Sequence, residues 1–231
     1  MEELHRFTTE RETCPYLPDR EATMEYRVVR EISPEEYDTL LEIGWRRFGS
    51  TLLRPVCDNC QQCVPIRLSI ANFHPTRNQR RAEAANRDVT VNVTQPTVDL
   101  EHVELYLRYH AERHASRNWP APKFDLEEYL YSFVANAAPT LEFQYRVGDR
   151  LIAVSYAGES ERSLNSIYAY LDPDEARRSL GTFNIVRQLR EAELQKKEYL
   201  YLGFWIRDCP SMTYKARFRP HQLYDGENWN G

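Results

Sequence analysis

Three cysteines recur at regular intervals in the segment from Leu53 to Asp88. They are Cys57, Cys60 and Cys63. Together with Cys14 they supply the four thiolates that a tetrahedral zinc ion or an iron–sulfur cluster requires. The spacing therefore predicts a metal or cluster site at these four residues, and buried cysteines without a ligand are the alternative. Cys209 stands apart from the group.

The same segment concentrates positive charge. Between Arg67 and Arg87 there are five arginines and one acidic residue, Glu83, although the formal net charge of the chain is -5. Guanidinium groups pair with carboxylates and phosphates through a planar fork. The segment therefore predicts a surface that binds such a partner, and a solvated helix face is the alternative. The candidate binding residues are Arg54, Arg77, Arg80 and Arg81.

The composition and the first residues limit which class of protein this chain can belong to. A hydrophobic fraction of 42% over 231 residues is typical of a globular chain with a sizeable core. Met1-Glu-Glu-Leu-His carries acid where a signal peptide carries base, and no apolar run approaches the ~18 residues of a membrane span. We therefore expect a cytoplasmic protein without membrane contact, in a compartment where disulfides are rare.

The first part of the chain has clear local signals. Ser33-Pro34-Glu35-Glu36 is a capping box that predicts a helix start. Residues 64–70 alternate like a strand, and residues 76–87 predict a short basic helix before a further strand. Pro96 marks a boundary between two regions. We expect residues 1–95 to form an N-terminal region with the cysteine cluster and the arginine-rich segment, and residues 96–231 to form a C-terminal region.

The second region has a recognisable order of elements. Periodicity predicts two helices, then a hairpin around Gly148-Asp149, a third strand over 164–170, a helix after Gly181 and a last strand over 199–206. This order is similar to the acetyltransferase-like (GNAT) fold of the α+β class, whose sheet splits where two parallel strands diverge and admits an acyl donor. Arg178-x-x-Gly181-Thr182 resembles part of that fold's pyrophosphate loop. Phe183 replaces a small residue there, so no coenzyme A is expected.

Longer patches resemble one family, the aminoacyl-tRNA–protein transferases, and within it the short bacterial leucyl-tRNA–protein transferases. The matching patches are Cys14-Pro-Tyr-Leu-Pro, Arg54-Pro-x-Cys57-x-x-Cys60-x-x-Cys63, Phe73-x-Pro-x-Arg77-x-Gln79-Arg80-Arg81, Tyr109-His110-x-x-Arg113-His114, Gly181-Thr182-Phe183, Tyr201-Leu-Gly-Phe-Trp205 and Cys209-x-x-Met212-x-Tyr214-Lys215-x-x-Phe218-Arg219-Pro220. They cover nearly the whole chain in a consistent order. Relatives use cysteines in this region to hold zinc or an iron–sulfur cluster.

The resemblance implies an activity and its partners. Leucine passes from leucyl-tRNA to the N-terminal amine of a protein that begins with Asp or Glu, which creates a degradation signal. One or two of the candidate arginines then read the acidic acceptor, and the others contact tRNA phosphate. Alternatives are an arginyl-tRNA donor, a coenzyme A-dependent N-acetyltransferase on the same fold, and a non-catalytic zinc module that binds nucleic acid. An arginyl pocket would need a buried carboxylate, which the sequence does not reveal.

Transfer from an activated ester requires little beyond close positioning and a base for the acceptor amine. The sequence does not identify that base, but His110 on a helix and two tyrosines on the strands beside the expected split are candidates. The tyrosines are Tyr168 and Tyr170. Further candidates for substrate binding lie at the last strand and in a second basic tract over residues 207–219. They are Trp205, Lys215 and Arg217, in addition to Gly181 and Thr182.

Overall fold

The computed structural model describes residues 1–117 and 119–231. Its strands are β1 (Glu2–Thr8), β2 (Glu12–Thr13), β3 (Glu21–Ala22), β4 (Met24–Glu31), β5 (Arg46–Phe48), β6 (Thr51–Pro55), β7 (Val64–Ser69), β8 (Val89–Thr94), β9 (Thr140–Val147), β10 (Arg150–Glu159), β11 (Ser163–Leu171), β12 (Tyr199–Trp205), β13 (His221–Tyr224) and β14 (Trp229–Asn230). Its α-helices are α1 (Pro34–Glu42), α2 (Arg77–Ala85), α3 (Leu100–Arg117), α4 (Leu126–Tyr129) and α5 (Leu180–Leu194). Among the described residues, no helix has the length and apolarity needed to cross a membrane.

Local signals place the first two helices. The Ser33 side chain accepts a hydrogen bond from the Glu36 N–H at the start of α1, and the Glu36 carboxylate accepts one from the Ser33 N–H. Thr76 and Gln79 form the same reciprocal pair at the start of α2. Each pair satisfies two N–H groups that a helix start leaves unpaired. The predicted capping box and basic helix are both confirmed.

Eight strands form the main sheet in the order β14-β13-β7-β12-β11-β10-β9-β8. Strand β7 comes from the first third of the chain, yet it lies between β12 and β13. Strand β8 pairs with β9 at the opposite edge. The division at residue 95 stays a prediction, and the structure adds that residues 1–95 and 96–231 contribute strands to one sheet.

The sheet splits between β11 and β12. These strands run parallel, and their paired register covers Ser163–Asn165 against Tyr199–Tyr201. Beyond that point each strand has a bulge of one extra residue. In β11 it lies between Ser166 and Tyr168, relative to β10, and in β12 it lies between Tyr201 and Phe204, relative to β7. Such bulges bend a strand away from its partner. The expected α+β, acetyltransferase-like arrangement with diverging parallel strands is confirmed.

Helices cover both faces of this sheet. On β10, the Ser155 hydroxyl donates to Asn184 of α5, while the next residue, Tyr156, bonds the Tyr129 hydroxyl on the opposite side. Successive strand residues point to opposite faces. Helices α2 and α5 therefore cover one face, and α3 and α4 cover the other. The four-stranded sheet β1-β4-β6-β5 also packs on the α3 face, through contacts described below.

Buried polar contacts fix the position of α3. His102 is fully buried, and its two ring nitrogens lie 2.8 Å from Asp99 and 3.1 Å from Glu142 of β9. Nearly two helical turns further on, Arg108 donates to Asp172 at 2.6 Å. Contacts of this kind are costly to break once they are buried. They hold α3 across β9 and the end of β11, and so they determine where His110 lies.

Candidate active site

Strand β5 crosses the split on the α3 face and contacts both diverging strands. The Phe48 ring packs edge-on against Tyr168 of β11, with 6.0 Å between ring centres. The Arg46 guanidinium lies over the Phe204 ring of β12 at 5.1 Å. Residues two apart on a strand point to the same side. Arg46 and Phe48 therefore face the two sides of the split from one strand.

An aromatic pocket of ≈ 110 Å³ lies beside β11 on this face. Its aromatic walls are Phe48, Tyr106, Tyr129, Phe133 and Tyr168. The polar side chains at its edge include Lys123, Asp125 and Glu128, which are exposed. Asp125 already accepts hydrogen bonds from two backbone N–H groups at the start of α4. The aromatic walls can pack against an apolar side chain, and no carboxylate among the described residues that line the pocket is buried.

His110 and Tyr168 form a hydrogen-bonded pair at this pocket, with 3.1 Å between Nε2 and the phenol oxygen. The imidazole also stacks on Tyr106 at 4.0 Å. Burial lowers the pKa of His110, and burial raises the pKa of Tyr168. At neutral pH the imidazole is therefore neutral and the phenol keeps its proton. In the tautomer that carries the imidazole proton on Nδ1, the phenol donates to Nε2, and this bond gives a path for a proton between the pocket and the imidazole.

Tyr170, the other tyrosine candidate, lies in the core. Its side chain is fully buried, and its hydroxyl lies 2.7 Å from that of Tyr129 and 3.4 Å from that of Tyr156. The three hydroxyls satisfy one another away from solvent. Among the catalytic candidates, His110 and Tyr168 are therefore the two that the structure brings together at the pocket.

Lys215 lies beneath β12 rather than at the surface. Its side chain is buried, and Nζ donates to the carbonyl oxygen of Phe204 at 2.6 Å. Burial and the neighbouring Arg46 hold the pKa of Lys215 well below its usual value. The sequence made Lys215 a candidate for substrate binding, but in the structure its amine bonds the main chain inside the protein.

The two predicted basic tracts meet on the α5 face. Arg77, Arg80 and Arg81 are exposed on α2. The Gln79 side chain of the same helix donates to the carbonyl oxygen of Arg217, which is exposed on a 3₁₀ turn. These four arginines, Arg77, Arg80, Arg81 and Arg217, are called the basic patch below. Their adjacency favours a binding surface that extends over more than one phosphate.

Arg54 has a different environment from the other arginine candidates. Its Nε donates to the buried Glu25 carboxylate at 2.6 Å, and its guanidinium lies over the Trp45 ring at 4.6 Å. Arg6 contacts the same carboxylate from the strand on the other side. The positive charge of Arg54 is thus already paired within the four-stranded sheet, and a role in reading the acceptor stays a prediction.

The start of α5 carries the loop that resembles a pyrophosphate site. Ser179 adopts a left-handed conformation, and its carbonyl oxygen accepts from the N–H groups of Thr182 and Phe183. Arg178 is occupied by a two-pronged contact with Asp88 at 2.7 and 2.8 Å. A Cβ on Gly181 would meet Leu171 at an ordinary 3.7 Å, so no close approach requires this glycine. These contacts organise the loop internally.

Trp205 ends β12 in a half-buried position, and Arg207 lies over its ring at 5.9 Å. Its indole Nε1 is buried without a hydrogen-bond partner among the described residues. A buried donor of this kind is uncommon in folded proteins. It keeps Trp205 among the candidates for substrate binding.

Cys14 and Cys209 are buried together at the end of β12 with Cys63 packed against them, so the expectation that Cys209 stands apart is wrong. Burial raises the pKa of the Cys63 thiol to about 12, and electrostatic repulsion from the nearby Cys14, Cys57 and Cys60 contributes to the rise. The sulfur of Cys57 accepts from the Thr23 N–H at 3.4 Å. The donor set therefore suits a thiolate-bound ion chemically. However, residues 1–117 and 119–231 contain no three ligand side chains positioned as a metal site, so the metal stays a prediction.

Sequence reasoning missed the two side chains of β5 that face the split, Arg46 and Phe48. One signal was available, because Gly203 interrupts an otherwise apolar strand. A glycine inside a strand indicates a bulge or a close approach by another group. Both are present, since Gly203 has φ +73° and a Cβ there would lie 2.5 Å from the Arg46 guanidinium carbon.

Comparison with known proteins places this geometry in a family. The family model described as "Arginine-tRNA-protein transferase, N terminus" matches residues 12–81, and that described as "Arginine-tRNA-protein transferase, C terminus" matches residues 101–225. The two matched segments carry β5 and the cysteines on the one hand, and α3, β11 and β12 on the other. Every residue that lines the aromatic pocket, and each of the five cysteines, therefore lies inside the matched segments.

Curated relatives match over the full length. The aspartate/glutamate leucyltransferase of Saccharophagus degradans is 35% identical over 232 residues, which cover 99% of this chain and 97% of the relative. That of Pseudomonas putida W619 is 38% identical over 234 residues, with 99% and 98% covered. Among solved structures, L-PGS from Bacillus licheniformis gives a TM-score of 0.48 at 12% identity, covering 86% of this chain and 67% of its own. FemX gives a TM-score of 0.47 at 8% identity, and the match covers 75% of this chain and 61% of FemX. On the sequence matches, the chain belongs to the arginine-tRNA-protein transferase family.

Proposed function

We propose that this protein transfers leucine from leucyl-tRNA to the N-terminal amine of proteins that begin with Asp or Glu. The family uses an aminoacyl-tRNA donor and a protein acceptor, and the curated full-length relatives bear the name aspartate/glutamate leucyltransferase. The single structural observation that carries the leucine assignment is the aromatic pocket at the split. Its walls suit an isobutyl group, and its carboxylates lie exposed at the edge.

The residues at the pocket support an aminolysis of the ester. The neutral acceptor amine attacks the carbonyl carbon of the leucyl ester, and the nitrogen then loses a proton to the Tyr168 oxygen while the Tyr168 proton passes to Nε2 of His110. When the bond between the carbonyl carbon and the ribose oxygen breaks, the same pair returns the proton to that oxygen. The ester is already activated, so positioning and this proton transfer supply most of what the reaction needs.

The donor and acceptor are tested together by measuring transfer in a matrix of substrates. Purified protein is mixed with leucyl-tRNA, arginyl-tRNA or acetyl-coenzyme A, and with peptides that differ only in an N-terminal Asp, Glu, Asn or Gln. We expect transfer from leucyl-tRNA to the Asp and Glu peptides. A preference for arginyl-tRNA, or transfer of acetyl groups without tRNA, would contradict the proposal.

The basic patch is proposed to hold tRNA through its phosphates. Each phosphate neutralised by an arginine adds to the salt dependence of binding, with a slope of about -0.7 to -0.9 per contact. Changing Arg77, Arg80 and Arg81 together to Ala should therefore weaken binding of tRNA and flatten the plot of log affinity against log salt by about two to three units. Filter binding over a salt series measures both quantities.

Arg30→Ala is the matched control for that experiment, because Arg30 is an exposed arginine on β4 of the four-stranded sheet, where it pairs with Glu2 of β1. We expect it to leave the slope unchanged. A triple variant with the slope of the unmodified protein would show that the patch is a solvated helix face.

The four cysteines are proposed to hold a zinc ion or an iron–sulfur cluster in the purified protein. Cys57→Ser should lose the bound metal and lower the melting temperature, because the ligands join the loop before β7 to the loop before β3. Cys209→Ser, which changes the fifth thiol, should keep the metal. Metal analysis of protein prepared without oxygen decides between them, and a metal-free unmodified protein would refute the assignment.

A further inference from the structure

Arg46 is a partly buried guanidinium without an acidic partner. Its Nε is buried and makes no hydrogen bond, and it takes part in none of the ion pairs formed by residues 1–117 and 119–231. The neighbouring arginines differ. Arg54 pairs with Glu25, and Arg47 donates from both terminal nitrogens to oxygen atoms of the protein, with only its Nε left without a partner among the described residues. A buried charge that lacks a partner is costly unless a ligand supplies one.

The electrostatic neighbours that the described residues give Arg46 include no carboxylate, and Cys63 among them would be negative only as a metal-bound thiolate. The titratable side chains close enough to interact with it electrostatically include Tyr16, Cys63, Tyr214 and Lys215. None of these is a carboxylate. The Arg46 guanidinium can lie here only because residue 203 is a glycine, since a Cβ on that residue would lie 2.5 Å from the guanidinium carbon. The fold thus keeps space for an unpaired cation at the mouth of the split.

We propose that Arg46 binds the side-chain carboxylate of the acceptor's N-terminal Asp or Glu, and so determines acceptor specificity. This inference rests on the proposed function. A guanidinium offers a carboxylate two parallel hydrogen bonds, which a neutral amide side chain cannot reproduce.

The spacing along β5 agrees with this assignment. A strand advances about 3.3 Å per residue, so Arg46 and Phe48 are roughly 6.6 Å apart along it. Phe48 lines the pocket assigned to the leucyl side chain, and Arg46 faces the opposite side of the split. An acceptor carboxylate at Arg46 and a leucyl group in the pocket would place the amine and the ester carbonyl between them. The basic patch lies on the other face of the sheet, which separates tRNA phosphate binding from this position.

Arg46→Gln is the decisive variant, since it removes the charge and keeps a side chain of similar reach. We measure kcat/KM with leucyl-tRNA and peptides that begin with Asp or Asn. For the Asp peptide we expect a fall of about 10- to 100-fold, with little change for the Asn peptide. The ratio between the two peptides should therefore collapse, while affinity for leucyl-tRNA stays unchanged. Arg30→Gln is the control and should keep the ratio.

Arg46→Lys keeps the charge without the fork and should retain part of the preference for Asp, with a raised KM for that peptide. This variant decides the matter by itself if Arg46→Gln does not fold, because an unchanged KM for the Asp peptide would overturn the proposal. A preserved Asp-to-Asn ratio in folded Arg46→Gln would also overturn it, and weaker tRNA binding with that ratio preserved would assign Arg46 to the nucleic acid. Absence of leucyl transfer by the unmodified protein would instead refute the proposed function.

Discussion

Tyr168→Phe should reduce kcat for leucyl transfer by about 100-fold or more, because proton transfer by a positioned side chain typically contributes 10²- to 10⁴-fold. The variant keeps the ring that packs against Phe48 and Phe133 and removes the hydroxyl that bonds His110. The proton lost by the acceptor nitrogen then has no path to the imidazole. Single-turnover kinetics with preformed leucyl-tRNA measure the chemical step directly.

His110→Gln should cause a similar loss, and the double variant should be little worse than either one, because the two residues act as a unit. Tyr156→Phe is the matched control. Its hydroxyl is buried against Tyr129 and Tyr170, and it does not line the pocket. A loss in Tyr156→Phe as large as that in Tyr168→Phe would indicate a packing effect instead of a proton path.

The pH profile gives an independent check on the same pair. Burial lowers the pKa of His110, so the imidazole remains neutral and able to accept a proton down to a pH below its usual value of about 6.5. With saturating acceptor, the limb of kcat that belongs to His110 should therefore lie below about pH 6.5 in the unmodified protein, separate from the limb at about pH 8 that an N-terminal amine itself gives. This acidic limb should disappear in His110→Gln. A limb that persists in the variant would belong to another group.

Arg47→Met should lower the free energy of unfolding by at least about 3 kcal/mol, since each buried polar group left unpaired costs roughly 1–3 kcal/mol. Arg47 is 1% exposed and lies over the Tyr37 ring. Its guanidinium donates to Gly49 O at 2.6 Å and to Asn136 Oδ1 and Thr140 Oγ1 at 2.7 Å. These contacts join the four-stranded sheet to the segment that leads into β9, and methionine replaces none of them.

Urea denaturation monitored by tryptophan fluorescence measures this loss. Arg30→Met serves as the control, because Arg30 is two-thirds exposed and a surface ion pair is worth about 0–1 kcal/mol. If the two variants were equally stable, the hydrogen bonds of Arg47 would contribute no more than an exposed ion pair. A change at the adjacent Arg46 should instead have a small effect on the free energy of unfolding and a large effect on acceptor choice.

The elements that the sequence predicted well are those fixed by neighbouring residues. Capping residues at Ser33 and Thr76 start their helices, and Gly148 turns the hairpin between β9 and β10. Each of these signals acts over a few positions, through a side chain that bonds nearby backbone or through a glycine with positive φ. The order of helices and strands followed from such signals, and with it the fold class.

The site itself depended on contacts between distant parts of the chain. Tyr168 and Tyr170 have the same residue type and the same parity on β11, so alternation could not distinguish them. Their roles differ because α3 places His110 beside the first, whereas Tyr129 lies beside the second. The arginines show the same limit, because charge counting could not reveal that Glu25 pairs Arg54 and leaves Arg46 alone.

The position of β7 between β12 and β13 has a consequence for synthesis on the ribosome. About 130 residues separate β7 from β12, so at roughly 5–20 residues per second the strand waits on the order of ten seconds for its partner. During that time Ile66 and Leu68, both fully buried in the finished sheet, have nothing to pair with. The nascent chain should therefore need protection at this strand, and a fragment that begins at residue 96 should aggregate through the exposed edge of β12.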